Sequence, residues 1–328
     1  MAAIISETWD SQRTQQFQQN LLEWYDRHKR DLPWRQDRDP YRVWVSEIML
    51  QQTRVKAVLD HYRRFLQLFP TVEKLARARE STVLSAWSGL GYYRRARMMH
   101  RAAKEIVKQH AGDFPDSAEK LRSLPGIGRY TSSAIASIAF AEGVAVVDGN
   151  VERVIRRVLG KSVAGEKLWQ AADELLDHQR PGDFNQAMME LGATVCVPRG
   201  PSCNSCPIFD LCTAQGTMKS VSLNLPQRKR EISYLLASRQ HLVFMVQRPK
   251  ESSLMPGMWE LPEVEGKTDT NGTCLTLRHS ITVTDYTVKV VRGRVSSKIA
   301  GKWLEQGRLQ KLPLTGLARK ILYAAKII

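Results

Sequence analysis

Four of the five cysteines lie within seventeen residues, at Cys196, Cys203, Cys206 and Cys212, with the spacing C-x6-C-x2-C-x5-C. Four thiolates on one short loop can supply a tetrahedral set of sulfur ligands, which suits a [4Fe–4S] cluster or a zinc ion. Structural zinc sites usually come as two close cysteine pairs split by a longer excursion. Here one C-x2-C pair stands between two single cysteines, an arrangement that favours the cluster and leaves zinc as the alternative. A disulfide framework fits poorly, because such frameworks belong to short exported chains. Met1–Trp9 has no basic stretch followed by a long apolar one, so no export signal is expected. Cys274 lies far from the other four and is expected to be an inert core or strand residue.

Two carboxylates form the second candidate chemistry. Glu47 stands in Ser46-Glu-Ile-Met-Leu-Gln-Gln-Thr53, on a predicted long helix whose next turn brings Leu50 and Gln51 beside it. Asp148 follows the apolar run Gly143–Val147 and precedes Gly149-Asn150, where a helix restarts. Singly, Glu47 could serve a helix N-terminus and Asp148 could be an N-cap. As a pair they suit cleavage of a glycosidic bond, with one protonated acid assisting the leaving group and one carboxylate facing an oxocarbenium-like centre.

The elements that must position these groups are helical through residues 10–195. Apolar residues at 45, 48, 49, 55, 58, 59 and 62 make Val43–Leu66 one helical stripe. Further helical patterns fall near 82–87, 94–109, 117–123, 129–141, 150–159, 166–178 and 183–191, with Gly or Pro at most joints. Leu124-Pro-Gly-Ile-Gly-Arg-Tyr-Thr131 reads as a tight turn between two helices over 119–141, with Gly126 and Gly128 permitting the turn. Amides at such a turn and the positive end of the second helix attract a phosphate, the form of a helix-hairpin-helix gripping a nucleic-acid backbone. An ordinary αα-hairpin with a glycine cap is the alternative.

A chain of 328 residues suggests two domains. Residues 213–231 are polar and end in Pro226 and the basic run Arg228–Arg230, a plausible linker. We place a mainly α region at 1–225 and a smaller α+β domain at 226–328. In the latter, Ile232–Ala237 and Leu242–Gln247 are predicted to form a hairpin, Ser280–Val295 is strand-rich, and Leu314–Ala325 is a final helix. The net charge of +16 divides as +6 in residues 1–225 and +10 in 226–328, so a polyanionic partner, nucleic acid foremost, is expected. No run approaches the apolar length that crosses a bilayer, and a cytoplasmic, nucleoid-associated monomer is the expectation.

The glycine turn, Val147-Asp-Gly-Asn-Val151 and the four-cysteine loop at 196–212 resemble the endonuclease III superfamily of DNA glycosylases. Leu32-Pro-Trp-Arg35, Ser46–Thr53 and Gly89-Leu-Gly-Tyr-Tyr93 are similar to its adenine glycosylases, and the likeness runs through residues 10–230. That resemblance implies excision of adenine mispaired with 8-oxoguanine or guanine in double-stranded DNA, after the base is flipped into a pocket. By residue match, Glu47 would be the acid, Asp148 the stabiliser of the oxocarbenium ion, and Asn150 would orient the site. Trp34, Arg35 and Glu190 would line or hydrogen-bond the adenine, beside Leu50, while Gln52 and Tyr92 would enter the base stack. Strand-cutting relatives need a lysine where Tyr130 stands, so a monofunctional enzyme is implied, with Tyr130 shaping the pocket. Arg199 on the cysteine loop would meet phosphate, with Gly126 and Gly128 at the hairpin. Glycosylases of oxidised pyrimidines and a non-catalytic iron–sulfur DNA-binding module are the alternatives.

The C-terminal region resembles a Nudix-like domain through Met255-Pro-Gly-Met-Trp-Glu-Leu-Pro262. The segment that follows, Val264-Glu-Gly-Lys-Thr-Asp-Thr-Asn-Gly272, lacks clustered glutamates, so binding without hydrolysis is expected. Where the adenine glycosylases carry a Phe-Ser-His turn that touches 8-oxoguanine, this chain has Ile281-Thr-Val283, leaving Thr282 as the candidate contact.

Overall fold

The computed structural model describes residues 9–217, 228–252, 254–264, 273–281 and 284–328. The chain opens with helices α1 (Ser11–His28), α2 (Pro40–Leu50) and α3 (Val55–Leu68), with a single 3-10 turn, Pro33–Arg35, before α2. Helices α4 (Val72–Arg77), α5 (Glu80–Ala86), α6 (Arg94–His110), α7 (Ala118–Arg122) and α8 (Arg129–Phe140) follow. Then come α9 (Gly149–Leu159), α10 (Glu166–Leu175) and α11 (Pro181–Thr194). Among the described residues no helix is long and apolar enough to cross a membrane.

Contacts divide the chain into two compact units. The first comprises Met1–Leu66, Thr71–Glu73 and Ala102–Ser222, and the second Gln67–Pro70, Lys74–Arg101 and Leu223–Ile328. In the first unit α8 is buried nearly all round through the small residues Ser132, Ser133, Ala134 and Ala136, so neighbouring helices come close on every side. A Cβ on Gly182 would stand 2.6 Å from the Ser137 carbonyl, so α11 enters directly against α8. A Cβ on Gly192 would meet Asn150 Cβ at 2.6 Å, so the same helix crosses the start of α9 at van der Waals distance. Phe17, Leu21, Ile155, Leu175 and Leu191 are among the buried residues that join α1, α9, α10 and α11 in one core.

The expected single helix over Val43–Leu66 is two. It stops at Leu50, Gln52 takes the left-handed backbone at φ +54°, and α3 begins at Val55. The apolar stripe reads through because both helices bury the same face type, and periodicity alone does not register a four-residue turn. Glu47 therefore lies in the second half of an 11-residue helix rather than near the start of a long one.

The second unit holds β1 (Arg228–Leu236), β2 (Ser238–Arg239), β3 (Leu242–Gln247), β4 (Trp259–Glu260), β5 (Thr273–Ile281), β6 (Thr284–Arg292), β7 (Lys302–Glu305), α12 (Gln306–Leu309) and α13 (Gly316–Ala324). The predicted hairpin is not formed as drawn. Strand β1 runs parallel to β6, which pairs antiparallel with β5, while β3 pairs with β2, β4 and β7. Arg228–Arg230 are the exposed start of β1 rather than linker. Cys274 is an exposed residue of β5, with its Sγ 3.3 Å from the Val290 carbonyl, so it is not in the core. Apolar residues of β1, β3, β6 and α13, including Leu236, Val243, Val288 and Ile321, form this unit's core.

The linear boundary at 225/226 also misses a tie inside the second unit. Ser88 Oγ and Tyr93 OH both donate to the Leu314 carbonyl, at 3.2 and 3.0 Å, and Arg319 Nε donates to Ser88 Oγ at 2.8 Å. Residues 74–101 are thus partners of the strand region, although more than 120 residues separate them in sequence. Tyr93→Phe leaves a buried carbonyl with one donor fewer, and should lower stability by about 1–2 kcal/mol in urea unfolding. An unchanged urea midpoint would show that this bond contributes nothing.

Candidate active site

Glu47 is 5% exposed on α2. Its Oε2 accepts a 2.5 Å hydrogen bond from the hydroxyl of Tyr130, which is in the first turn of α8. The same hydroxyl lies 3.5 Å from Met189 Sδ on α11. Burial, above all, pushes the Glu47 carboxyl up to about 7; the Tyr130 hydrogen bond opposes it, Asp148 adds to it, and Arg35 opposes it. Tyr130 is raised well above the ordinary tyrosine range by burial and then by the two carboxylates. A phenol so held keeps its proton and stays a donor.

Asp148 is the N-cap of α9. Its Oδ1 accepts from the backbone N–H groups of Asn150 and Val151, both at 2.8 Å, and its Oδ2 accepts from Asn150 Nδ2 at 2.9 Å. The capping role and the candidate chemical role coincide: three donors and the positive end of α9 hold a negative charge in one orientation. Asn150 is itself gripped, because Arg153 donates to its Oδ1 at 2.8 Å and to the Gly192 carbonyl at 2.6 Å.

Glu190, 1% exposed, does not present a free carboxylate. Arg30 Nε donates to its Oε1 at 2.6 Å, and Arg30 and Arg35 each donate to its Oε2 at 2.8 Å. Burial works to raise this acid, but the hydrogen bonds from Arg30 and Arg35 overcome it and hold Glu190 below its ordinary range. Both of its oxygens are oriented by the arginines that bracket Trp34 in the chain. Trp34 is buried, edge-on to Tyr62 at 5.3 Å. Leu50 ends α2, and Gln51 Nε2 donates to Thr131 Oγ1 at 3.1 Å, which ties the following turn to α8 and leaves Gln52 exposed.

At the hairpin only Gly126 occupies the left-handed region, at φ +77°. Gly128 is an extended N-cap at φ −91°, ψ −178°, and an added Cβ there would meet nothing within 4 Å. The expectation that both glycines make the turn is corrected: Gly126 makes it, and Gly128 leaves the first amides of α8 uncovered. Arg129 is not a free cation beside them, because Glu166 takes two of its N–H groups at 2.6 and 2.9 Å and its guanidinium lies 4.0 Å over the Trp169 ring.

All five cysteines are free thiols, and Cys196, Cys203, Cys206 and Cys212 line one cavity with Val154, Leu191 and Ile208. Arg157, 6% exposed, donates to Cys196 Sγ at 3.2 Å and to the Val197 carbonyl at 2.9 Å. Arg153 donates to the Cys196 carbonyl at 2.8 Å. Burial pushes the Cys206 thiol up to about 11, and the other three cysteines add to the shift. A buried arginine beside four thiols on one cavity fits an inorganic group that would take them as sulfur ligands and spread their charge. Among the described residues, no three His, Cys, Asp or Glu side chains converge at the spacing of a single metal ion. Arg199 is exposed on this loop.

The first unit therefore brings Glu47, Tyr130, Asp148, Asn150, Arg35 and Glu190 together. Tyr92 belongs to the second unit, and Thr282 lies outside the described residues. Sequence reasoning missed Arg30, Arg153, Arg157 and Met189. The arginines at 153 and 157 stand one turn apart on an amphipathic helix, and that spacing was the available signal. Arg30 meets Glu190 across 160 positions, which no local pattern reveals.

The site thus sets a buried carboxyl on α2 beside an N-capping carboxylate on α9 within packed helices. Residues 45–175 match the family described as "HhH-GPD superfamily base excision DNA repair protein". The chain is 42% identical to an adenine DNA glycosylase of Rattus norvegicus, over 76% of this chain and 60% of that one. It is 47% identical to that of Homo sapiens, over 63% and 41%, and 34% identical to that of Buchnera aphidicola subsp. Acyrthosiphon pisum, over 76% and 75%. Among solved structures, a thermostable thymine-DNA glycosylase covers 63% of the chain at TM-score 0.59 and 29% identity, with 98% of that chain aligned. A trapped endonuclease III–DNA covalent intermediate aligns at TM-score 0.54 and 21% identity over 62% of this chain and 97% of its own, which shows a common fold. The chain belongs to the HhH-GPD superfamily of base excision DNA repair proteins, within its adenine DNA glycosylase family. It spans 60% of the length of the rat relative and 41% of the human one.

The raised Glu47 makes a pH prediction. The native carboxyl holds its proton from its ordinary 4.5 up to about 7, whereas the unfolded one releases it. The stabilisation is complete below about 4.5 and is lost as pH rises through about 7, a change of roughly 3 kcal/mol that Glu47→Gln should abolish. Tyr130→Phe removes the bond that favours the carboxylate, so a carbon-13 titration of Glu47 should move to higher pH. A downward move would contradict the assigned donor and acceptor.

Proposed function

We propose that this chain is a monofunctional glycosylase that flips adenine, mispaired with 8-oxoguanine or guanine, out of double-stranded DNA and cuts its N-glycosidic bond in base excision repair. The observation that carries the proposal is the buried Glu47 carboxyl, held by Tyr130 and poised at about 7 beside the Asp148 carboxylate. An acid at that value is partly protonated at neutral pH and can still give its proton up, which is what a leaving purine requires. Glu47 donates to adenine N7 as the C1′–N9 bond breaks; Asp148 faces the cationic sugar; the Glu47 carboxylate then takes a proton from the attacking water. Tyr130 supplies no amine for a Schiff base, so strand cleavage is not part of the cycle.

The family relatives and the hairpin support double-stranded DNA as the partner, with Gly126 and Gly128 at a phosphate and Gln52 and Tyr92 entering the stack. The cysteine loop would hold a [4Fe–4S] cluster on Cys196, Cys203, Cys206 and Cys212, with Arg157 beside the first of them. When bound, the cluster supplies rigidity and charge to the loop carrying Arg199. The spacing, one C-x2-C pair between two single cysteines, favours a four-iron group over a single zinc. The second unit is read as a Nudix-like recognition domain, acting by binding, and the whole protein as a monomer.

A single-turnover assay on duplexes with adenine opposite 8-oxoguanine, guanine, cytosine and thymine tests the reading. Glu47→Gln should bind the mispairs as wild type does and lose about 10²–10⁴ in excision rate. Near-normal excision by the variant removes Glu47 from the chemistry, and release of thymine opposite guanine instead of adenine would assign a different substrate. The anaerobically purified protein should be brown and carry about four irons. Zinc in their place, with full activity, would overturn the cluster.

A further inference from the structure

The turn that presents Tyr92 is fixed at several points. Trp87, fully buried, donates from its indole Nε1 to the Gly91 carbonyl at 3.1 Å, and Leu90 N donates to the Trp87 carbonyl at 3.1 Å. Gly89 and Gly91 occupy positive φ, at +111° and +68°, and Tyr92 follows them at +45°. A tyrosine in that region is disfavoured and persists only where its surroundings over-determine it. Yet Tyr92 is 49% exposed. A side chain that leaves so much apolar surface in water, on a backbone so constrained, is arranged for something other than packing.

Arg95 is the group that links the ring to the clamp. It stands in the first turn of α6, its guanidinium carbon 5.4 Å from the Trp87 ring centroid and 5.5 Å from that of Tyr92. One of its terminal N–H groups donates to the Leu90 carbonyl at 3.2 Å. Burial pulls this guanidinium down to about 10, so it remains charged at neutral pH despite the desolvation. Two π faces and a carbonyl offer the compensation a cation can use there.

We propose that Arg95 is a positioning residue: held by the Leu90 carbonyl and the buried Trp87 ring, it fixes the exposed Tyr92 ring before DNA arrives. The inference rests on the reading given above, in which Tyr92 enters the base stack of a mispaired duplex. A ring already ordered loses no rotamer freedom on insertion, so the gain is in affinity for the distorted duplex and not in phosphate attraction.

A double-mutant cycle tests this, using a duplex with a non-cleavable adenosine analogue opposite 8-oxoguanine and 2-aminopurine beside it as a reporter of insertion. Tyr92→Ala should lose the fluorescence change on binding. Arg95→Met should diminish that change and weaken mispair binding about 3- to 5-fold, with matched-duplex binding and its salt dependence unaltered. Arg95→Lys, which keeps the cation, should recover part of the loss. In the Tyr92→Ala background, Arg95→Met should cost nothing further. Equal losses in both backgrounds, or a matching loss on the fully paired duplex, would overturn the proposal even if the thermal midpoint falls, because Arg95 would then act on the fold. If Tyr92→Ala itself changes neither fluorescence nor affinity, stack entry by Tyr92 fails and this inference fails with it. Adenine excision by Glu47 would be untouched by that outcome.

Discussion

The hydrogen bond from the Tyr130 hydroxyl to the Glu47 carboxyl sets the terms for the first unit. A carboxyl 5% exposed cannot ionise cheaply, so burial pushes it up to about 7, and one phenol donor keeps it from going higher. Everything packed around the pair preserves that balance. Helix α8 brings Tyr130 in on its first turn and accepts close neighbours because its faces are lined with Ser and Ala. Gly182 and Gly192 let α11 press against both α8 and the start of α9.

Two charge networks surround this poorly solvated acid and differ in kind. Asp148 is held by three N–H donors at a helix N-terminus, a neutral grip that leaves its negative charge uncancelled. Glu190 is gripped by two guanidinium groups, so its charge is balanced and Arg35 is aligned toward the Glu47 side. The half-buried Asp148 is thus a standing field, and the buried Glu190 has its charge balanced. The same logic links the site to the cysteine loop: Arg153 joins Asn150 to the Cys196 carbonyl, and Arg157, one turn on, reaches Cys196 Sγ. Loss of order in the loop would be felt at Asn150, two residues from Asp148.

In the second unit the same principle of distant satisfaction holds. The Leu314 carbonyl collects donors from Ser88 and Tyr93, which carries a helical segment into the strand region's unit and places the Trp87–Tyr92 turn there. Sequence composition changes near residue 226, but hydrogen-bond satisfaction does not respect that change.

Local features were legible in the sequence because their causes are local. The cysteine spacing, the helical periods, the Asp148 cap, the Gly126 turn and the final helix each depend on residues within a turn or two of one another. What the sequence could not determine was decided by partners far along the chain. The turn that breaks the Val43–Leu66 stripe is tied by Gln51 to Thr131, 80 positions away. The commitment of Glu190 depends on Arg30, 160 positions away, and the parallel pairing of β1 with β6 replaced a hairpin that looked locally sufficient. The value of Glu47 belongs to this second class as well. An isolated glutamate titrates as any other, and only a tertiary fold that removes water from it while offering a single donor can hold it near neutrality.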